Sequence, residues 1–338
     1  MSIFAAATGN GPWPGTSARH AAEVVVGELG GAALAHIAEL PARGVGADPI
    51  GRAGALLVDV FIDTGPRGYR IVARPGAVCR RAVSLLGEDA DALEEAWETA
   101  GLRGSGHPVK IQVAGPLTLA AELELANGHR AITDPGALRD LTASLAEGVS
   151  VHRADLSRRL DVPVVVQFDE PALVAAVGGR LVGVTAMTPV RAVEETVAIE
   201  LLGSCAAAAG TDVLLHICGP EMPWKMLQRS NIRAISVDGT TLGAADYDGI
   251  AEFVDSGRTV MLGMVPATTP ARRPSVEELA TAVAAVTDRI GFPRSVLAER
   301  IGITPAGGLA DATADWARTA IELARRVGEV LAGDPEAV

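Results

Sequence analysis

The residues best suited to chemistry in this sequence are a histidine and a cysteine that stand two positions apart. His216 and Cys218 follow the apolar residues 213–215. In a β-strand, residues i and i+2 project from the same face, so both side chains can reach one ligand. An imidazole nitrogen and a thiolate are a donor pair that binds zinc. The pair alone is weak evidence, because a histidine beside a cysteine is also ordinary buried packing.

Acidic residues end the strands that precede and follow this pair. Asp169 and Glu170 come after the apolar run 162–168, and Asp238 comes after the run 232–237. Carboxylates at these places can bind an ammonium group, move a proton or complete a metal site. The alternative is that Asp238 starts a turn, and that one of the other two acids caps a loop while its neighbour faces water. Polar residues at three successive strand ends nevertheless form a constellation that chance seldom produces.

The elements that must position these residues are repeated βα units, since short apolar runs alternate with longer segments of helical periodicity. Strands are predicted at residues 4–8, 55–63, 109–113, 162–168, 212–215, 232–237, 259–264 and 300–303. A helix is predicted to open at Thr188 and Pro189 and to end at Gly210. We expect one domain over residues 1–338, a single (β/α)8 TIM barrel whose active site lies at the carboxyl ends of the strands.

Composition excludes several kinds of partner. The formal net charge is −12 and only 3% of the residues are aromatic, which disfavours nucleic-acid binding. No apolar stretch is long and charge-free enough to cross a bilayer. The cysteines number only three, too few for a disulfide framework and typical of a reducing compartment. We therefore expect a cytoplasmic protein without a nucleic-acid or membrane partner.

An early stretch, residues 39–52, is rich in glycine and arginine. Arg43 or Arg52 could clamp a carboxylate or a phosphate. We favour the interpretation that this stretch is a surface loop with solvated arginines.

Several motifs, taken together, resemble those of the cobalamin-independent methionine synthase family. Residues 169–173 read Asp-Glu-Pro-Ala-Leu, as in the family, and residues 216–218 are similar to its His-x-Cys zinc pair. Asp238 stands where the family has a zinc-binding Glu. Residues 11–14 and 115–118 are similar to its Gly-Ser-Phe-Pro and Gly-Pro-Val-Thr. The order holds over nearly the whole chain, which looks closest to the short, single-barrel actinobacterial members.

The resemblance implies a fold, a reaction and a set of site residues. The fold is a barrel of the methionine synthase and uroporphyrinogen decarboxylase type. The reaction is a methyl transfer to a thiol, typically homocysteine to give methionine, from a methylfolate or a methyl-corrinoid donor. Zn²⁺ would be held by His216, Cys218 and Asp238 and would lower the pKa of the thiol. Asp169 would be the catalytic residue and would hold the substrate's ammonium group, with Glu170 and Gly11 as further substrate contacts.

Three positions depart from the family pattern. Gly307 stands where the family has a second zinc-binding cysteine, and Thr268 stands where it has a catalytic histidine. Pro12 replaces a serine and has no backbone N–H to offer a carboxylate. These departures leave open a barrel that binds a small amino acid or thiol without turnover. A decarboxylase is a third possibility, since uroporphyrinogen decarboxylase has a related barrel and uses no metal.

Overall fold

The computed structural model describes residues 2–183, 189–219 and 221–338, apart from the side chain at position 337. The strands are β1 (Ala35–His36), β2 (Phe61–Gly65), β3 (Gly68–Val72), β4 (Val109–Ala114), β5 (Leu123–Glu124), β6 (Val164–Asp169), β7 (Val213–His216), β8 (Ala234–Asp238), β9 (Thr259–Val265) and β10 (Ile301–Pro305). The helices are α1 (Ala18–Leu29), α2 (Pro49–Leu56), α3 (Ala77–Thr99), α4 (Pro116–Glu122), α5 (Pro135–Leu160), α6 (Leu173–Val177), α7 (Glu195–Ala209), α8 (Trp224–Arg229), α9 (Ala244–Asp255), α10 (Val276–Ile290), α11 (Ser295–Arg300) and α12 (Ala314–Gly333).

A parallel sheet of seven strands forms the wall of a barrel, in the order β1-β4-β6-β7-β8-β9-β10. The N-terminal segment closes it. Ala7 pairs in parallel with Ile303 of β10, and the Ala7 carbonyl accepts a hydrogen bond from the Leu34 N–H at 2.9 Å, next to β1. The predicted α/β TIM-barrel fold is therefore confirmed. The eighth position of the wall is filled by the N-terminal segment, which forms one parallel bridge, at Ala7, rather than a longer strand. The extent of the domain, residues 1–338, stays a prediction.

Two predicted elements differ from the structure. Residues 55–63 were predicted as a barrel strand, and this prediction was wrong: α2 ends at Leu56, and β2 pairs with β3 in a separate sheet of order β2-β3-β5. The second wall position belongs to β1, whose two residues carry too little pattern to be recognised. The helix expected from Thr188 and Pro189 begins at Glu195, and Gly210 ends it in the left-handed region. Thr188 itself lies outside the described residues.

Residues along each barrel strand alternate between the outer helices and the interior. In β6, Val164, Val166 and Phe168 join the large core under the helices. Val165 instead belongs to a separate apolar cluster at the amino-terminal ends of the strands, with Phe4, Leu34, Leu214, Ala234 and Met261. The interior is therefore sealed at that end by apolar side chains.

Inward positions nearer the carboxyl ends are polar. They carry Lys110 and Gln112 on β4, Gln167 and Asp169 on β6, and His216 on β7. Buried polar groups need partners because burial removes them from bulk water. The strands thus hold a polar layer above an apolar one. In the described part of the chain, none of the helices is long and apolar enough to cross a membrane.

Helix α5 approaches the end of α2 closely at a glycine. An ideal Cβ placed on Gly148 would lie 1.7 Å from the backbone oxygen of Leu56. Only a residue without a side chain allows this contact. The approach positions α2, which carries the buried Arg52, over the barrel wall.

We expect Gly148→Ala to lower the free energy of unfolding by about 2–4 kcal/mol, because α5 and the end of α2 must separate to admit the methyl group. Gly87→Ala is the matched control: Gly87 lies within α3, and an added Cβ there meets nothing within 4 Å. That variant should be more stable by about 0.5–1 kcal/mol. Denaturant unfolding of both variants is the measurement. Wild-type stability in Gly148→Ala would contradict the close contact.

Candidate active site

A small pocket opens at the carboxyl ends of the barrel strands. Its volume is about 170 Å³. Its lining combines apolar and ionisable side chains: Asn10, Pro12, Glu39, Pro49, Ala114, Thr118, Asp169, Pro171, His216, Cys218 and Gly308. A larger groove of about 540 Å³ lies on the outside, beside the start of α5. Among the described residues, only Arg191 and Glu194 of its lining are ionisable, so the chemistry points to the smaller pocket.

His216 and Cys218 meet at the wall of this pocket. The Cys218 Sγ lies 3.2 Å from the His216 Nε2, and the Ser236 Oγ lies 3.2 Å from the His216 Nδ1. Ser236 stands opposite His216 in the register of β7 and β8. Because Ser236 engages Nδ1, the other ring nitrogen faces Cys218 and the pocket. This is the arrangement in which a second residue orients a metal-binding imidazole.

Both members of the pair are uncharged near neutral pH. Burial, with a further contribution from the charge of Lys110, lowers the pKa of His216 to about 4. Partial burial and the nearby carboxylates of Asp169 and Asp238 raise the pKa of Cys218 to about 11. A neutral imidazole is ready to bind a metal, whereas the thiol must release its proton to do so.

Asp238, the expected third ligand, is engaged elsewhere. Its Oδ1 accepts hydrogen bonds from the Thr240 backbone N–H at 2.9 Å and the Thr240 hydroxyl at 2.6 Å. This is the turn-starting role that the sequence left open. Across residues 2–183, 189–219 and 221–338, no three His, Cys, Asp or Glu side chains converge as a metal site. His216 and Cys218 fit zinc as two ligands, and the metal role of Asp238 stays a prediction.

Two carboxylates face the pocket from its other side. Asp169 ends β6, and Glu39 lies just after β1, where its backbone N–H donates to the Gly11 carbonyl at 3.0 Å. Burial and the charge of Glu39 raise the pKa of Asp169 well above its usual value. Burial likewise raises the pKa of Glu39, while the cations Arg52 and Lys110 oppose the shift. Paired carboxylates that are costly to ionise together form a receptor for a cation such as an ammonium group.

Lys110 lies directly beneath these carboxylates and has no solvent exposure. Its Nζ donates to the Gly9 carbonyl at 2.8 Å and to the Gln167 Oε1. Burial lowers the pKa of Lys110 to about 8, and the charges of Asp169 and Glu39 oppose that shift. Neither Lys110 nor Glu39 was identified as a site residue from the sequence. Lys110 could have been found from the alternation in residues 109–113, where polar residues stand at every second position of an otherwise apolar strand.

Glu170 and Gly11 have structural roles. The Glu170 carboxylate is fully buried and accepts hydrogen bonds from the Leu117 N–H at 2.9 Å, the Thr118 N–H at 2.8 Å and the Thr118 hydroxyl at 2.6 Å. It therefore joins β6 to the start of α4, and a contact of Glu170 with substrate stays a prediction. Gly11 has a φ of +120°, and an added Cβ would lie 2.7 Å from the Gln112 side chain. A Gly11 contact with substrate stays a prediction.

The early arginines are buried, so their interpretation as solvated surface residues was wrong. The side chains of Arg43 and Arg52 are 7% and 4% exposed, and both contact the Asp89 carboxylate of α3. The Arg52 Nε also lies 3.5 Å from the Glu39 Oε1. Asp89 thus holds two guanidinium groups, one of which supports the pocket carboxylate Glu39.

We expect Asp89→Asn to lower the free energy of unfolding by about 3–5 kcal/mol, because it leaves two buried guanidinium groups without their shared carboxylate. Glu88→Gln is the control: the neighbouring Glu88 carboxylate is 59% exposed and lies 3.6 Å from Arg43. Its loss should cost less than about 0.5 kcal/mol. Urea unfolding measures both. Equal, small effects would show that the buried network contributes little.

Comparisons with known proteins find relatives of this chain. A model of the family "cobalamin-independent synthase, catalytic domain" matches residues 4–330. No curated protein sequence matches the chain.

Two solved structures have similar folds. One is a B12-independent methionine synthase from Shewanella sp. W3-18-1 in complex with selenomethionine, with a TM-score of 0.62, 14% identity and coverage of 99% of this chain and 100% of that one. The other is a putative vitamin-B12 independent methionine synthase from Listeria monocytogenes, with a TM-score of 0.51, 16% identity and coverage of 84% of this chain and 77% of that one. At these identities the structures support the fold alone. The family match spans nearly the whole chain. The chain therefore belongs to the cobalamin-independent synthase family of enzymes and corresponds to the family's catalytic domain.

Proposed function

We propose that this protein is a methyltransferase that methylates the thiol of homocysteine to give methionine. The observation that carries the proposal is that two kinds of group line one small pocket. His216 and Cys218 suit a metal that binds a thiol, and Glu39 and Asp169 suit an ammonium group. Homocysteine carries a thiol at one end and an ammonium group at the other. Family membership supports the same reaction.

We propose Zn²⁺ as the cofactor, with His216 and Cys218 as two ligands and Asp238 as the third. The donor set is that of a catalytic zinc site, and Ser236 already orients the imidazole. Zinc would lower the pKa of the acceptor thiol, so that it reacts as a thiolate at neutral pH.

The chain's own residues would orient the acceptor. Glu39 and Asp169 accept hydrogen bonds from the substrate ammonium, which turns the thiol toward His216 and Cys218. The sulfur then forms a bond to the methyl carbon as the bond from that carbon to the donor breaks, and the donor keeps the electron pair. We propose a methylfolate or a methyl-corrinoid as the donor. The acidic charge and sparse cysteines support small-molecule partners and a cytoplasmic location.

A second candidate is a barrel that binds a small amino acid or thiol without turnover. It is favoured by Gly307 in place of a thiolate ligand, and by the hydrogen bonds that hold Asp238 at Thr240. A binder of this kind needs no bound zinc.

The test is methionine formation from homocysteine, with methyltetrahydrofolate or methylcobalamin supplied separately, alongside elemental analysis of protein purified without chelator. We expect about one zinc per chain and methionine from one of the donors. Cys218→Ser should lose zinc and activity while keeping a cooperative thermal transition, because the large core folds without the metal. Cys79→Ala, a buried thiol in α3 outside the pocket, is the control and should keep its zinc. Methionine binding without zinc and without turnover would favour the second candidate.

Restoring a thiolate at position 307 should strengthen zinc retention. An ideal Cβ on Gly307 meets only the Ala267 Cβ, at 3.7 Å, so a larger side chain fits there. We expect Gly307→Cys to slow zinc release to a competing chelator by roughly 10-fold or more, since it adds an anionic ligand. Gly307→Ala controls for the added bulk and should release zinc as the wild type does. Equal release from the two variants would place position 307 outside the metal site.

A further inference from the structure

We propose that Lys110 and Gln167 are positioning residues: the buried ammonium of Lys110, acting through the side-chain amide of Gln167, holds the Asp169 carboxylate toward the pocket and makes the site selective for ligands with a free amino group. The inference rests on the proposed function in one respect, namely that Asp169 receives the substrate's ammonium. It describes a row of three hydrogen-bonded side chains, Lys110, Gln167 and Asp169, that extends from the barrel interior to the pocket.

The hydrogen bonds determine the orientation of the Gln167 amide without ambiguity. A lysine ammonium can only donate, so the group facing Lys110 must be the amide oxygen. The amide nitrogen then faces the other way, where it donates to the Asp169 Oδ1 at 2.6 Å and to the Asn10 backbone carbonyl at 3.0 Å. The Asn10 carbonyl can only accept a hydrogen bond, and the same is true of Asp169 when it is ionised. Every polar atom of the amide is thereby used.

This orientation leaves Asp169 ready for a ligand. Among the described residues, Gln167 is the only hydrogen-bond partner of the Asp169 side chain, and it engages Oδ1. Asp169 lines the pocket, which leaves its second oxygen available to an incoming donor. If the Gln167 amide were reversed, its oxygen would face the carboxylate and repel it. Lys110 prevents the reversal because it needs that oxygen as its acceptor.

The charges around Asp169 support the same role. The charged groups that act on it are Glu39, Lys110 and Glu170, of which Lys110 is the cation. A positive charge beneath the two carboxylates favours their ionised forms, against the burial that raises the pKa of each. The wall itself does not require a lysine, since β4 and β6 pair through their backbones and the inward neighbour Val165 is apolar. A buried ammonium costs stability unless it is paired, so its presence here calls for a local purpose.

The experiment compares the affinities of L-methionine and its desamino counterpart, 4-(methylthio)butanoate, for the full chain by isothermal titration calorimetry. The wild type should prefer methionine. Gln167→Met removes the donor to Asp169, and Lys110→Met removes the cation that orients it. Each variant should bind methionine roughly 10- to 100-fold more weakly, with the affinity for the desamino ligand changed less than about threefold. Thr304→Val is the control, because the buried Thr304 hydroxyl has no hydrogen-bond partner in the described structure.

A second readout separates positioning from general damage. In methyl transfer, KM for homocysteine should rise in both variants while kcat changes little, since the amino group is remote from the reacting sulfur. Equal weakening of both ligands would overturn the proposal, because that pattern reports a damaged pocket. Tighter methionine binding by Lys110→Met would also overturn it, since that outcome means that Lys110 only repels the ligand's charge. If Lys110→Met fails to fold, Gln167→Met carries the same test.

The two proposals fail in different ways. A wild-type chain that binds methionine and its desamino counterpart equally would overturn the positioning role and leave methyl transfer standing. A chain that prefers methionine, with the expected losses in both variants, but forms no methionine from either donor would overturn the methyltransferase proposal alone. A wild-type chain that binds neither ligand would overturn both.

Discussion

The structure depends on the pairing of charges that are buried inside the barrel. Lys110, Asp169 and Glu39 lie where an isolated charge would be costly, and each is stabilised by the opposite charge of a neighbour. The pairing extends outward through Arg52 to Asp89 and Arg43, so helices α2 and α3 are tied to the pocket by ionic contacts. The same ionic contacts therefore stabilise the pocket and the surrounding helices, so a substitution that weakens one is expected to weaken the other.

The two halves of the pocket are prepared to different degrees. On the carboxylate side, Gln167, Lys110 and Arg52 already hold Glu39 and Asp169 in place. On the side of His216 and Cys218, the imidazole is oriented by Ser236, but Asp238 is bound to Thr240 and Gly307 supplies no ligand. The amino-acid end of the proposed substrate thus meets a preorganised surface. A metal at the thiol end depends on fewer fixed ligands than the family pattern implies.

Neighbouring residues of one motif serve different purposes. Asp169 and Glu170 are consecutive, yet alternation along the strand end turns the first toward the pocket and the second toward α4. Asp169 is available to a ligand, while Glu170 secures the start of α4, which forms part of the pocket wall at Thr118. A motif match therefore identifies the place of a site before it identifies the contribution of each residue.

The sequence by itself determined the barrel, because apolar runs of strand length separated by helical periodicity allow few other folds, and six of the predicted strands lie within two residues of their observed bounds. It also placed His216, Cys218 and Asp169 at one end of the wall, since parallel strands share their direction. It could not place Glu39, Arg52 and Asp89, which lie in a loop, a short helix and a long outer helix and meet only when these distant segments pack. The direction of the Asp238 carboxylate, the burial of the arginines and the orientation of the Gln167 amide were decided by tertiary contacts. Such choices depend on which hydrogen-bond partners lie within about 3 Å in the folded chain, and residue order along the sequence does not carry that information.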